Sequence, residues 1–458
     1  MKNKLELTPV YNARRDVFRQ YGNQTSSERY DRMNILKAVL KQEVFPALGC
    51  TEPIAVAYAA SIGGKEIKEP IKEIIITVDP GVYKNGFAVT VPNTGGEKGN
   101  LIAGVLGALV KKPELKMEVL KNVEKERVAD AKAIIKSGKA RISCDMSKRE
   151  LYIEVIIKSK NNSARSIIRG SHSNLILVEK NNRILFEKKH VTGGIDEEDY
   201  KPVLGKMKIS ELIDLAENMD SDDYDYIQKG ITMNLEIAKA GKKLKAVGYY
   251  ISALLEKGLI LDDVFASTKI LTASATDARM AGLSYPVMAS GGSGNQGIVA
   301  ILVPYNVGRY FKIEDKKILQ SIALSHLVNA YIKCYTGDLS VLCGCAIAAG
   351  TGAAVAIVFQ QQGSDMEKIT LAVNNVISDL GGMLCDGAKG GCALKVASST
   401  DSAIRAAYMA LNDHGITRKE GFVGNTAEET IWHLSEISKK GMAKVDDTIL
   451  EIMIEKIL

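Results

Sequence analysis

The run Cys334-Tyr-Thr-Gly-Asp-Leu-Ser-Val-Leu-Cys343-Gly-Cys345-Ala-Ile-Ala-Ala-Gly-Thr-Gly352 decides how the second half of this chain is read. It interrupts Ala-, Leu- and Ile-rich segments of helical period that extend from about Pro202 to the end of the sequence. Further glycine clusters interrupt them at 289–297, 381–391 and 421–424. Apolar residues at helical spacing predict buried helices, and glycine clusters predict the connections between them. Residues 203–458 are therefore expected to form a mostly α-helical domain whose glycine-rich turns carry cysteines.

A second such stretch is Gly381-Gly-Met-Leu-Cys385-Asp-Gly-Ala-Lys-Gly-Gly-Cys392-Ala-Leu-Lys395, in which six residues, three of them glycine, separate the two thiols. Glycine lets backbone approach a bulky inorganic group, and exposed amides can hydrogen-bond its sulfides. The loop between Cys385 and Cys392 could wrap one face of a four-iron cluster while a third cysteine reaches it from another helix end. Three thiolates leave the fourth iron open as a Lewis acid, a site suited to acting on a substrate. Spacing alone leaves open which of Cys334, Cys343 and Cys345 is the third ligand. It lacks the tight cysteine run of electron-transfer ferredoxins and the paired Cys-x-x-Cys knuckles of zinc sites.

Toward the N-terminus the pattern changes. Residues 1–32 form a polar, aperiodic arm, and residues 33–202 read as an α/β domain with a mixed sheet, so the fold class is α+β. A helix is expected from Asn34 to Phe45, a buried helix over Ile54–Ser61 and another over 100–111. Strands are expected at 72–79 and 86–91, joined through Lys84-Asn85-Gly86, and again at Glu150–Lys158 and Asn174–Glu179. The tripeptide Lys180-Asn181-Asn182 marks a hairpin turn.

At 458 residues, 46% hydrophobic and 25% charged, the chain has the composition of a globular protein with more than one core. A net charge of +6 spread over scattered lysines argues against a nucleic-acid partner. No run of 18 apolar residues predicts a membrane span, and the polar start Met-Lys-Asn-Lys-Leu-Glu-Leu lacks a secretory signal, so a cytoplasmic location is expected. There the seven cysteines would be reduced, and their odd number and glycine-rich settings point to metal or catalysis over disulfides. Cys144, without such company, reads as structural.

Three further places carry candidate site residues. Cys50, in Gly49-Cys-Thr-Glu-Pro53, stands at a helix N-terminus, where the dipole favours thiolate while Glu52 opposes it. Thr51 and Glu52 belong to the same turn. Ser290, Ser293, Asn295 and Gln296, in Ser290-Gly-Gly-Ser-Gly-Asn-Gln-Gly297, could offer donors to a small zwitterion ahead of a helix whose positive end suits a carboxylate. Asn85 and Asn93, with Thr94, could bind a ligand from a polar turn, though turns use such residues anyway. His172 lies in a loop of small polar residues, where a lone histidine is more often structural than catalytic.

Taken together, Gly-Cys-Thr-Glu-Pro at 49–53, Ser-Gly-Gly-Ser-Gly-Asn-Gln-Gly at 290–297 and Cys-Asp-Gly-Ala-Lys at 385–389 resemble the L-cysteine desulfidases and related bacterial proteins, relatives of the iron–sulfur L-serine dehydratases. The similarity runs from about residue 34 to 440. It implies a [4Fe–4S] enzyme eliminating sulfide from L-cysteine, with Cys345, Cys385 and Cys392 as cluster ligands and Cys50 as the acid–base thiol. The substrate would be a small amino acid, and a homodimer is one assembly this reading allows. Lys389 and Lys395 invite comparison with a pyridoxal phosphate Schiff-base lysine, but both belong to the cluster loop. An L-serine dehydratase and a non-catalytic thiolate sensor are the alternatives.

Overall fold

A computed structural model describes residues 34–148, 150–188, 200–337 and 340–456; the polar arm at 1–32 lies outside the described residues. Asn34 accepts a hydrogen bond from the Lys37 amide at 3.1 Å and so caps the first helix, α1, Ile35–Glu43. A three-residue strand, Pro46–Leu48 (β1), leads into Thr51–Glu66 (α2), a helix buried from Thr51 through Gly64. Glu73–Val78 (β2) then alternates, with Ile74, Ile76 and Val78 turned into the core.

The strand expected at 86–91 is not formed. Asp79 accepts hydrogen bonds from the Gly81 and Val82 amides, at 2.8 and 3.1 Å, and Pro80 fits the first helical turn, so Pro80–Gly86 folds as a short helix, α3. Beyond it the chain makes only an isolated bridge, Thr90 with Lys98. The apolar alternation of 87–91 fits burial without a ladder, since β2 already has strand partners on both sides.

After Asn100–Val110 (α4) and Lys125–Lys136 (α5), five strands complete the sheet: Ala140–Cys144 (β3), Tyr152–Lys158 (β4), Ser163–Arg169 (β5), Leu175–Lys180 (β6) and Arg183–Glu187 (β7). The order is β3-β2-β4-β5-β6-β7, parallel only between β2 and β3. Cross-strand pairs Ile74–Ile157, Ile76–Val155 and Val78–Ile153 line one face. Asn181 and Asn182, at φ 50° and 62°, turn the β6–β7 hairpin as the sequence predicts. Against this face lie α2 and α4, packed so closely that a Cβ on Gly64 would stand 2.5 Å from the Ala108 carbonyl oxygen.

The rest is helical: Lys201–Leu204 (α6), Ile209–Glu217 (α7), Ser221–Gly241 (α8), Val247–Glu256 (α9), Val264–Met280 (α10), Gly294–Tyr310 (α11), Asp315–Thr336 (α12), Ala348–Gln362 (α13), Met366–Leu380 (α14), Cys392–Leu411 (α15), Ala427–Glu436 (α16) and Val445–Glu455 (α17). The fold class is α+β. Two apolar cores result, one between the sheet and α2/α4, the other among the helices, and α1 packs on the helical core. Among the described residues no helix is long and apolar enough to cross a membrane. A short antiparallel ribbon of β1 with Pro286–Met288 (β8) ties the segment before Cys50 to the segment before Ser290.

Gly107→Ala drives a methyl group into the Ala57 carbonyl at the α2–α4 crossing. The expected loss is about 1–3 kcal/mol in urea unfolding. Gly382→Ala, where a Cβ meets nothing within 4 Å, is expected to change stability by less than about 0.5 kcal/mol.

Candidate active site

The two cysteine-bearing stretches meet through backbone. The Cys343 amide donates to the Met383 carbonyl and the Cys385 amide to the Val341 carbonyl, both at 2.8 Å, closing an antiparallel bridge between Leu342 and Leu384. Ser399 on α15 donates to the Cys345 carbonyl at 3.0 Å. Cys392 is the first residue of α15, and the Ala388 amide reaches the Asn85 carbonyl at 3.3 Å. Cys343, Cys345, Cys385 and Cys392 consequently line one cavity of about 900 Å³, counting the space at its mouth. Cys334 and Cys144 do not line it; Cys334 bonds back to the Ala330 carbonyl within α12.

Electrostatically these four thiols are crowded. Cys343 is held down at about 6, chiefly because Cys345 donates to it, with the Lys395 ammonium assisting. Cys345 is pushed up by Cys343, by burial, and by the charges of Cys392 and Cys385. Burial raises Cys385 against the pull of Lys84, and raises Cys392 as well. Thiols crowded so that most of them resist ionising suit a cationic group that would favour their thiolate forms. Among the described residues no three His, Cys, Asp or Glu side chains close into the single shell that one metal ion needs. Four cysteine thiols on one cavity are the donor type that an iron–sulfur cluster takes.

The same cavity is lined by Cys50, 3% exposed and N-terminal to α2, which clusters with Val89 and Met280 where Ala388 and Cys392 pack. The Cys50 thiol donates to Glu52 Oε2 at 2.9 Å. Burial and then the Glu52 carboxylate push this thiol well above its ordinary range, with the Arg279 guanidinium opposing. The expected helix-terminus effect thus loses to burial and a neighbouring anion, and the resting group is a thiol. Burial works to raise Glu52, but His172, Cys50 and backbone donors outweigh it and hold the carboxyl well below the usual range. Thr51 Oγ1 donates to Glu52 Oε2 and Asn85 Nδ2 to Oε1, each at 3.1 Å. His172 Nε2 stands 3.7 Å from Oε1, an ion-pair distance.

Of the residues singled out in the sequence, Cys50, Thr51, Glu52, Asn85, Ser293, Asn295 and Gln296 line the cavity with the four cysteines. Asn93 does not. It bridges to the Leu120 and Lys121 carbonyls, at 2.9 and 2.8 Å, and accepts from Ser284, a structural role. Thr94 closes its own turn on the Val91 carbonyl. Ser290 lies beneath the cavity wall, bonded to His326 Nδ1 at 2.8 Å and Asn329 Nδ2 at 2.9 Å, both on α12. Sequence reasoning missed Arg279 and Lys333 as lining residues and ranked His172 as structural, while Lys395, placed in the cluster loop, does line the cavity.

Residues 114–451 match the family described as serine dehydratase alpha chain. The chain belongs to that family. Its relatives include a UPF0597 protein of Geobacter sulfurreducens, 59% identical over 424 residues, 93% of this chain and 99% of the relative. One from Elusimicrobium minutum is 53% identical over 425 residues, 93% and 100% of the two chains. One from Clostridioides difficile is 39% identical over 420 residues, 91% and 98%. No solved structure matches the chain.

His326, which anchors Ser290, is fully buried, and burial lowers its pKa from 6.5 to about 3. Between those values the unfolded chain binds a proton that the folded chain refuses. Stability should therefore fall on acidification through that window, by up to about 1.4 kcal/mol per pH unit. Urea midpoints followed from about pH 7 to pH 5 should drop more steeply for the native sequence than for His326→Gln.

Proposed function

We propose that the chain is an iron–sulfur-dependent L-cysteine desulfidase. One observation carries this reading: a buried thiol–carboxylate pair, Cys50 with Glu52, lines the same cavity as four mutually crowded cysteines. Membership of the serine dehydratase alpha-chain family supports the lyase class, in which iron–sulfur dependence is general. Cys345, Cys385 and Cys392 would hold a [4Fe–4S] cluster, with Cys343 beside them. When bound, such a cluster supplies a Lewis-acidic iron that polarises the departing sulfur.

The chain's own residues account for the protons. Elimination takes one hydrogen from Cα as the C–S bond breaks, and the sulfide must gain a proton as it leaves. Cys50 holds a proton and Glu52 lacks one within a single hydrogen bond, so the pair offers a donor and an acceptor together. Cys50 gives its proton to the departing sulfide, and the thiolate so formed, a strong base because burial and Glu52 raise its pKa, takes the α-proton and returns to the resting thiol. The aminoacrylate product tautomerises to an imine, and water converts it to pyruvate and ammonia. Asn85 and Thr51 hold the carboxylate that accepts from the Cys50 thiol and fixes its position.

The family's description favours a second reading, with L-serine as substrate and water as leaving group. Pyruvate release from the two amino acids, side by side on one anaerobically reconstituted preparation, separates them. Cysteine should be preferred, with sulfide matching pyruvate; preference for serine moves the chain to the dehydratases. No pyruvate from either, with iron bound, leaves a thiolate sensor. Cys50→Ala should lower kcat/KM for elimination by about 10²–10⁴, and an unchanged rate removes the thiol from the chemistry.

A further inference from the structure

We infer that Arg279 is the subsite for the α-carboxylate of an amino-acid ligand and that Gln296 faces the α-ammonium. This deepens the proposed function and rests on its reading of the cavity as a substrate site. Arg279 lies near the C-terminal end of α10, is 2% exposed, and lines the same cavity as Cys50 and Cys392. A guanidinium cannot shed its charge in a protein, so burying one requires a partner for that charge. Among the described residues no carboxylate provides it. Nη1 donates to the neutral Asn295 Oδ1 at 3.0 Å, and Nε is buried without a partner.

The lysines on the cavity wall are already engaged: Lys333 donates to the Gly291 carbonyl, and Lys395 to Asp386 and to the Leu384 carbonyl. Arg279 presents a buried, fixed positive charge to the cavity with the neutral Asn295 as its hydrogen-bond acceptor among the described residues. It lines the same cavity as both Cys50 and Cys392. A carboxylate held there by the planar guanidinium would set the rest of a small amino acid within the space those two thiols bound. Gln296 Oε1 is likewise buried, lines the cavity and lacks a donor, and an ammonium supplies one. A cation and a free acceptor in one cavity match the two ends of a zwitterion.

Equilibrium binding tests this without turnover. Titration calorimetry on the reconstituted full chain compares L-alanine, which has no leaving group, with L-alaninamide, which has no carboxylate. The native sequence should prefer alanine by about 10²-fold or more, as sites built for a specific polar group do. Arg279→Met should abolish that preference by weakening alanine alone, and Arg279→Lys should retain part of it, having charge without the fork. Equal binding of the two ligands by the native sequence overturns the assignment. So does an undiminished preference in Arg279→Met or, if that variant fails to fold, in Arg279→Lys, since the carboxylate would then be held elsewhere. Gln296→Leu should weaken alanine and alaninamide alike, because both carry the ammonium; unchanged binding of both removes Gln296 from the subsite. Preference for alanine without sulfide or pyruvate from any substrate would keep the carboxylate site and discard the desulfidase reading.

Discussion

The place of every thiol in the cavity depends on how closely the 385–388 loop can lie on the end of α3. Gly387 sits at φ 92°, and a Cβ there would stand 2.5 Å from the Lys84 carbonyl oxygen, so only glycine permits the approach. The Ala388 amide then meets the Asn85 carbonyl, while Asn85 turns its side chain to Glu52. Through the Leu342–Leu384 bridge the same loop positions Cys343 and Cys345. The seat itself is rigid. Asp79, buried, caps α3 and also accepts from the Tyr152 amide of β4 at 2.8 Å, so α3 is fixed to the sheet. A buried ion pair from Lys84 to Asp446 holds the C-terminal helix α17 against the same seat. Sheet, cap, helix, loop and cysteines form one mechanical series that crosses from one apolar core to the other.

That series explains which features are legible in the sequence. Local patterns can be read because local chemistry makes them: the Asn181-Asn182 turn, the long helices of the second half, and the glycine-spaced cysteines all announce themselves within a few residues. The strand expected at 86–91 failed because its alternation was weighed without the Asp79-Pro80 start signal beside it. Asn93 and Ser290 look like ligand donors in a linear reading, yet the carbonyls of 120–121 and the side chains of α12 claim them from far away in sequence. Arg279 was invisible for the same reason. It sits in an ordinary helical pattern, and nothing nearby in the sequence shows that its charge will be buried without a carboxylate. His172 became informative only when the β5–β6 loop carried it to Glu52. The family match at 114–451 likewise begins after Cys50 and Glu52, so half of the candidate chemistry lies outside the matched segment.

The charges around the cavity follow one logic. Among the cysteines of the glycine-rich loops, burial and mutual repulsion raise most of the thiols, a cost that a cationic cofactor would relieve. In the Gly-Cys-Thr-Glu-Pro turn, Glu52 is driven down and Cys50 up within a single hydrogen bond, so the thiol keeps its proton beside an ionised carboxylate. If Cys50 were an ordinary helix-terminus thiolate, it would hold no proton to give and would compete with the other cysteines for any metal bound there; the protonated thiol avoids both. Glu52, packed against Cys50 in the Gly-Cys-Thr-Glu-Pro turn, is what makes these two roles compatible in one cavity.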